Sequence, residues 1–284
     1  MGIYVVGMHR SGTSAVAAVV SALGDLPANR LVVDANPDGQ WERAELRPAL
    51  DLLLLANGAT WDHPPAAEAA VEAPRWWRAY ANRVAGRHLA GDFVWKDPRL
   101  SLCIDLWLDR PQPEPRVVLV HRHPSAVAAS LASREGWSGE RALALWERTT
   151  RNALVRLGGR EVFAVAHERL VADPTATVDR LADWLGFADR HRRSRAADLV
   201  DPRAGSGASA AAVDAHPSPA QLDLARLLDD RHGPTRLDPA ALRPETPATA
   251  TVLGHPGPGL LARRTARAIR LVPRRHRSEV AGAA

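Results

Sequence analysis

The hydrophobic positions of this chain alternate between short β-branched runs and longer stretches with helical spacing. The runs with strand character are Ile3–Val6, Asp92–Trp95, Arg116–His121 and Val162–Ala166, with Leu31–Val33 as a weaker candidate. The middle of Arg116–His121 is continuously apolar, which is typical of a strand buried on both faces of a parallel sheet.

Helical patterns fill the stretches between these strands. Helices are predicted over Ser14–Leu23, Glu42 to about Asn57, Glu68 to about Leu89, Leu100–Leu108, Pro124–Leu131, Trp137 to about Leu157 and Thr175–Leu185. Pro48 lies early in the second of these, so a kink or a delayed start is expected there. Strands that alternate with helices imply right-handed βαβ units. We therefore predict an α/β fold of three layers, α/β/α, around a mainly parallel central sheet of about five strands.

The sequence changes character near residue 200. Residues 1–200 carry the periodic pattern and are predicted to form one α/β domain. Residues 201–284 are rich in Pro, Gly and Ala, with one short helix at Pro219–Leu228, so a partly disordered linker and a basic C-terminal segment are expected. Within that segment, Leu260–Arg277 could form a helix that contacts an anionic membrane or a partner protein. A solvated basic tail, or a helix packed on its own domain, explains the same pattern.

Composition narrows the classes of function. The chain has 284 residues, 46% of them hydrophobic, and a formal net charge of +5. This balance favours an anionic ligand, acceptor or surface. The arginines are spread along the chain without a recognition motif, so a nucleic-acid partner is not expected. The single cysteine, Cys103, excludes an intramolecular disulfide, and no transmembrane run or signal-peptide pattern is found, so a cytoplasmic enzyme is expected.

The loop from Gly7 to Ser14 follows the first strand and carries the clearest chemistry. Its outline, G-x-x-x-x-G-[ST], is close to the nucleotide P-loop, in which backbone N–H groups and the positive end of the next helix bind phosphate. Thr13 stands where that motif has lysine, and the cation lies inside the loop as Arg10. We therefore expect a P-loop-like sheet edge that binds a phosphate-like group without the usual lysine.

Two stretches resemble the donor site of one enzyme family. His9-Arg10-Ser11-Gly12-Thr13-Ser14 is similar to the 5′-phosphosulfate loop of sulfotransferases that use 3′-phosphoadenosine 5′-phosphosulfate (PAPS), in the R-S-G-T-[ST] form of bacterial members. Arg122 ends a predicted strand, and Ser130 follows eight residues later in the next helix. This pair resembles the arginine and serine that bind the donor's 3′-phosphate in that family, and a guanidinium suits phosphate oxygens.

Two further stretches extend the resemblance to about Phe187. Lys96-Asp97-Pro98-Arg99 is similar to the K-D-P-R that ends a strand in bacterial members. His167–Pro174 is similar to the family's Y-E-D-L-x-x-D-P segment, with histidine and arginine in place of the tyrosine and the second acidic residue. That segment is mainly structural in the family, so no catalytic role is transferred from it.

The resemblance implies a site for PAPS and its product 3′,5′-ADP. The implied donor-binding residues are His9, Arg10, Ser11, Gly12, Thr13, Ser14, Arg122 and Ser130. Charge builds on the bridging oxygen as the sulfuryl group is transferred in line, and Lys96 and Arg10 are the candidates to neutralise it. Of the 37 Lys and Arg residues, only Lys96 is lysine, a compact cation that can also donate a proton. This chemistry requires no metal, and no metal-ligand cluster is found in the sequence.

The general base is left open among three residues. Glu42 follows Asn36-Pro37-x-Gly39-x-Trp41, a pattern in which a glutamate at a helix start often serves as base in these bacterial enzymes. Asp97 and His9 compete with it, since histidine has the pKa best suited to this work and a carboxylate would need its pKa raised.

Two other classes of function are kept beside the sulfotransferase. One is an ATP-dependent P-loop kinase of small molecules, against which the missing loop lysine and the Arg122–Ser130 pair argue. The other is a non-catalytic nucleotide-binding module. The acceptor is expected to be a small molecule, a saccharide or a lipid headgroup, bound by the variable region Trp41–Leu89 with its tryptophans. The sequence predicts neither its identity nor the oligomeric state.

Overall fold

A five-stranded sheet forms the centre of the molecule. The computed structural model describes residues 1–26, 41–110, 115–202, 216–272 and 277. The strands in chain order are β1 Gly2–Gly7, β2 Phe93–Lys96, β3 Arg116–His121, β4 Glu161–Ala166 and β5 Gly233–Arg236. They pair in the order β2-β1-β3-β4-β5, with the first four parallel and β5 antiparallel to β4. The predicted mainly parallel sheet of five strands is confirmed.

The fifth strand was not anticipated. Residues 31–33, the weak strand candidate, lie outside the described residues. The strand observed instead, β5, has the sequence Gly-Pro-Thr-Arg, which carries no β-branched run. Proline removes a backbone donor and is tolerated in sheets on an edge strand, the position that β5 occupies.

Helices cover both faces of the sheet. In chain order they are α1 Thr13–Gly24, α2 Arg47–Ala56, α3 Arg75–His88, α4 Asp105–Leu108, α5 Pro124–Glu135, α6 Gly139–Leu157, α7 His167–Ala172, α8 Pro174–Leu185, α9 Arg190–Ala197, α10 Pro219–Asp229, α11 Pro247–Leu253 and α12 Pro258–Leu271. Short 3₁₀ turns occupy Pro98–Leu102 and Pro239–Ala241.

Proline moves two helix starts from the predicted positions. The start of the second helix at Glu42 is wrong, but the delayed start expected from Pro48 is confirmed, because α2 begins at Arg47 with Pro48 in its first turn. The expected start at Glu68 is also wrong, since α3 begins directly after Pro74. A proline fits the first turn of a helix, where its missing N–H would have no intrahelical partner. The delay leaves Glu42 in the segment that leads into α2.

The strand period of two residues divides the core between the two faces. Tyr4 and Val6 of β1 pack with α2, α3, α5 and α6, while Ile3 and Val5 pack with α1, α8 and α9. All six residues of β1 are buried, as expected for a central strand with helices on both sides. The three-layer α/β/α arrangement is therefore confirmed.

The chain beyond residue 200 contains elements that pack on this framework. The fully buried Glu147 of α6 accepts hydrogen bonds from Thr246, Thr249 and Gln221, and forms an ion pair with Arg151 at 2.9 Å. Together with the pairing of β5 to β4, these contacts attach the described residues after 216 to the sheet and to α6. The short helix predicted at Pro219–Leu228 is confirmed as α10, but the sequence pattern did not predict these contacts.

The last helix, α12, lies against α2. Its Arg264 donates to both carboxylate oxygens of Asp62, at 2.6 and 2.9 Å. Ala268 and Val272 are buried, and Ile269 packs against the core. This apolar side of the helix packs against its own domain, which was one of the alternatives for the segment Leu260–Arg277. No helix in the described parts of the chain is both long and apolar enough to cross a membrane.

Candidate active site

The loop after β1 is held in a conformation that exposes its backbone. Gly7 has a φ of 151° and Gly12, before α1, has a φ of 88°, values that favour glycine. A Cβ on Gly7 would clash with the carbonyl of Val120, and one on Gly12 would clash with the ring of His167. Arg10 also has a left-handed φ, 68°, which is uncommon without glycine. The loop therefore presents amides at the start of a twelve-residue helix, a favourable place for an anion.

The second predicted anion site lies beside the first. Arg122 follows β3, and its Nη1 donates to the backbone carbonyl of Arg10 at 3.3 Å. Ser130 lies on α5, and its Oγ accepts a hydrogen bond from Arg10 Nε at 2.8 Å. Arg122 and Ser130 are each only 9% exposed. Residues from two neighbouring strand ends therefore meet, as parallel strands with a common carboxyl edge require.

At the end of β2, a buried cluster of charges surrounds Lys96. Its Nζ lies 3.3 Å from Oε1 of Glu42, and Arg99 Nη1 lies 3.6 Å from the other oxygen of the same carboxylate. Burial lowers the pKa of Lys96, opposed by the charges of Glu42 and Asp97. The Lys96–Glu42 ion pair thus connects the end of β2 to the segment before α2. In the sequence, only the family resemblance related these two stretches.

Asp97 lies in a buried ion pair at the start of the 3₁₀ turn Pro98–Leu102. Its carboxylate, which is fully buried, accepts hydrogen bonds from the backbone N–H of Arg99 at 2.9 Å and from the Arg99 guanidinium at 2.9 and 3.0 Å. Burial raises the pKa of Asp97, opposed by the adjacent Arg99. Arg99 also lies 2.7 Å from Asp51 of α2. Asp97 therefore caps the 3₁₀ turn and pairs with Arg99.

His9 lies between the loop and an aromatic pair. Its ring is 4.6 Å from that of Trp61, which stacks on Trp137 at 5.5 Å. Burial lowers the pKa of His9 well below its usual value, and the cations Arg99, Lys96, Arg47 and Arg10 lower it further. A neutral imidazole is therefore maintained in a site rich in cations, and the same effects make it a weaker base than an exposed histidine.

One cleft of about 700 Å³ connects these groups. Of the predicted site residues, it is lined by His9, Arg10, Gly12, Thr13, Ser14, Glu42, Lys96 and Arg122. Ser11, which is part of the loop, is fully buried. Ser130 is connected to the site by the hydrogen bond that it accepts from Arg10. Asp97 does not line the cleft.

The cleft also contains residues that the sequence analysis did not select. They include Arg47, Trp61, Arg134 and His167. Trp61 falls in the tryptophan-rich region expected to bind the acceptor, whereas Arg47 and Arg134 carried no motif. His167 lies in the segment that resembles a mainly structural part of the family. It packs against Gly12, and burial together with the charge of Arg122 lowers its pKa to about 4. In the described parts of the chain, no group of three or more His, Cys, Asp or Glu side chains could hold a metal ion.

The fold is a three-layer α/β/α arrangement with a P-loop-like loop at the carboxyl edge of a mainly parallel sheet. The family model described as "Sulfotransferase family" matches residues 2–190. The chain belongs to this sulfotransferase family. The match includes the loop, the Lys96 cluster, Arg122 and Ser130, and ends before α10. No curated protein matches the chain significantly.

Three solved structures are similar to the chain at low sequence identity. The sulfotransferase domain of the Synechococcus PCC 7002 olefin synthase has 17% identity and a TM-score of 0.47, covering 81% of this chain and 93% of that one. The sulfotransferase domain of the curacin biosynthetic pathway has 14% identity and a TM-score of 0.42, covering 88% and 95%. Sulfotransferase STF1 of Mycobacterium tuberculosis H37Rv has 19% identity and a TM-score of 0.42, covering 74% of each chain.

Proposed function

We propose that this protein transfers a sulfuryl group from PAPS to a hydroxyl or amine of an acceptor and releases 3′,5′-ADP. The observation that carries the proposal is the junction of the two anion pockets through Arg10, which contacts both Ser130 and Arg122. A donor with a phosphosulfate at one end and a phosphate at the other needs two such pockets in one cleft. The cytoplasm, where PAPS is available, is the expected compartment.

The residues present fit the donor chemically. The loop between Gly7 and Thr13 leads directly into α1, so its amides and the positive end of this helix suit the 5′-phosphosulfate. Arg122 and Ser130 supply a fork of N–H donors and a hydroxyl for the 3′-phosphate. Since Arg10 contacts Ser130, we assign its side chain to the 3′-phosphate pocket, and we leave the neutralisation of the bridging oxygen mainly to Lys96 and the loop amides.

Glu42 is the proposed general base. It lines the cleft and is buried beside Lys96, in reach of an acceptor bound next to the loop. As the acceptor oxygen forms its bond to sulfur, Glu42 takes the proton from that oxygen. The bond from sulfur to the bridging oxygen breaks, and Lys96 stabilises the negative charge that this oxygen gains. His9 is the alternative proton acceptor, because it is neutral and lines the same cleft.

The activity is tested with isotopically labelled PAPS and a panel of hydroxyl and amine acceptors. The expected product gains the mass of one labelled sulfuryl group, and 3′,5′-ADP is released in equal amount. In parallel, protection from thermal unfolding is compared for 3′,5′-ADP and Mg-ATP. We expect protection by 3′,5′-ADP alone, and stronger protection by Mg-ATP would support a small-molecule kinase instead. Binding of 3′,5′-ADP without transfer to any acceptor would support a non-catalytic module.

A further inference from the structure

The proposed 3′-phosphate pocket has a further arginine, Arg134, beside Arg122 and Arg10. Ser130 and Arg134 are separated by four residues on α5, so they lie one above the other on the same face of this helix. Arg134 lines the same cleft as Arg10 and Arg122. Three guanidinium groups, from the β1 loop, the end of β3 and the last turn of α5, therefore line one cleft, and that of Arg10 contacts Ser130.

Electrostatics place Arg134 near the other two. Burial lowers the pKa of Arg10, and among the charges that add to this effect Arg134 is the largest, ahead of Arg122. The neighbouring Glu135 opposes it. The order of these two charges agrees with the geometry, because Arg10 donates a hydrogen bond to Ser130, one helical turn before Arg134.

The protein balances the charge of this cluster only in part. Burial lowers the pKa of Arg122, and the charge of Glu168 opposes this shift. Within the described residues, Arg10 and Arg122 form no ion pair with a carboxylate, and the one acidic neighbour of Arg134 is Glu135, whose Oε1 lies 3.5 Å from Arg134 Nε. Like charges at close range disfavour the folded state, and an anion bound between them offsets that cost. A phosphate dianion has enough oxygens to accept hydrogen bonds from several guanidinium groups at once.

We propose, on the basis of the proposed function, that Arg134 is a further ligand of the donor's 3′-phosphate and makes the site selective for nucleotides that carry it. Arg122 and Ser130 hold this phosphate from the strand end and from the first part of α5, and Arg134 contacts it from the last turn. The selected chemistry is a phosphate monoester on the ribose 3′ position, so PAPS is preferred over a donor that has only the 5′-phosphosulfate.

The test measures the affinities of 3′,5′-ADP and 5′-AMP by calorimetry, for the wild-type protein and for Arg134→Ala. The two nucleotides differ only in the 3′-phosphate, so the ratio of their affinities reports contacts to that group. The loss of a charged hydrogen bond should weaken 3′,5′-ADP about tenfold or more and leave 5′-AMP nearly unchanged, which lowers the ratio. Arg134→Lys, which keeps the charge but loses the planar fork, should give an intermediate ratio.

Arg87→Ala is the matched control, because Arg87 is exposed on α3 and its loss changes the net charge by the same amount. This control should keep the wild-type ratio. If Arg134→Ala also keeps it, or weakens both nucleotides equally, the assignment of Arg134 is overturned while the sulfotransferase proposal stands. If the wild-type protein itself binds the two nucleotides equally, the 3′-phosphate pocket of the proposed function fails, and this inference fails with it.

Discussion

Lys96 Nζ lies 3.3 Å from Glu42 Oε1, with the two side chains only 3% and 7% exposed. The residues come from the end of β2 and from the segment before α2, and the chain has no other lysine. A buried pair of this kind places a proton acceptor and a cation side by side in the cleft. That is what transfer to a neutral hydroxyl requires, since one group must take a proton as another neutralises the leaving oxygen.

Replacement of Lys96 should slow the chemical step. Lys96→Met removes the charge with little change in length, and we expect kcat to fall about 10²–10³-fold, as for loss of one donor to a developing oxyanion. The Kd of 3′,5′-ADP should change much less, because the contact strengthens only as charge develops. Steady-state kinetics and calorimetry measure the two effects. A rise in KM at unchanged kcat would make Lys96 a binding residue.

Replacement of Glu42 distinguishes the two proton acceptors. Glu42→Gln keeps the shape of the side chain and removes the acceptor, so kcat should fall about 10²–10⁴-fold. His9→Asn should have the smaller effect on kcat if Glu42 is the base. The reverse order, with most activity lost in His9→Asn and retained in Glu42→Gln, would assign the proton to His9.

Arg122→Ala should weaken donor binding. The guanidinium is 9% exposed, and we expect a loss of about 1.5–3 kcal/mol in the binding free energy of 3′,5′-ADP, the range for a charged hydrogen bond. Calorimetry of the product complex checks this. Arg160→Ala, at an exposed ion pair with Asp109 on the surface, is the control and should bind as the wild type does. An unchanged affinity in Arg122→Ala would remove the residue from the donor site.

The histidines predict how stability depends on pH. Burial, together with the charges of His232 and Arg169, lowers the pKa of His121 to about 3, and burial with Arg122 lowers that of His167 to about 4. In the unfolded chain a histidine titrates at about 6.5. Below this pH the unfolded state binds the extra protons, so the free energy of unfolding falls as pH falls, by up to about 1.4 kcal/mol per pH unit for each histidine. The effect of His167 is complete at about pH 4 and that of His121 at about pH 3.

Urea unfolding between about pH 7 and pH 4.5 measures this slope. His121→Asn removes one of the titrating groups and should make the slope shallower by about one proton. Equal slopes in His121→Asn and in the wild type would show that His121 is not held neutral by the fold.

Glu147 should be important for the attachment of the C-terminal elements. Glu147→Ala leaves Arg151, which is 3% exposed, without its partner, and removes the acceptor of Thr246 and Thr249. We expect the free energy of unfolding to fall by about 3–5 kcal/mol, the range for one broken buried ion pair. Glu140→Ala, exposed near the start of the same helix, should cost far less. Similar stabilities of the two variants would contradict the role of Glu147.

The fold was predictable where the signal is local. The strands at residues 3–6 and 116–121 were predicted from their apolar runs, because a strand buried between two helical layers needs apolar side chains on both faces. Edge strand β5 carries no such pattern, since its pairing depends on β4 rather than on its own propensity. Glu147 was likewise indistinguishable from a surface glutamate on α6, because its partners lie about a hundred residues away.

The site was predictable to the extent that its residues form motifs. The loop and the Arg122–Ser130 pair occur at fixed spacing, and the structure brings them together. Asp97 belongs to the K-D-P-R motif, but its carboxylate pairs with Arg99 two residues later in the same turn, which the motif alone did not indicate. Arg134 and Arg47 enter the cleft from helix positions that no spacing rule selects.

If one cleft binds both phosphate ends of a single nucleotide, the affinities of three ligands will show it. Calorimetry with 3′,5′-ADP, 5′-AMP and 3′-AMP reports each pocket separately and both together. We expect 3′,5′-ADP to bind at least about tenfold more tightly than either monophosphate, because each phosphate adds charged hydrogen bonds. A bisphosphate no tighter than the better monophosphate would contradict it.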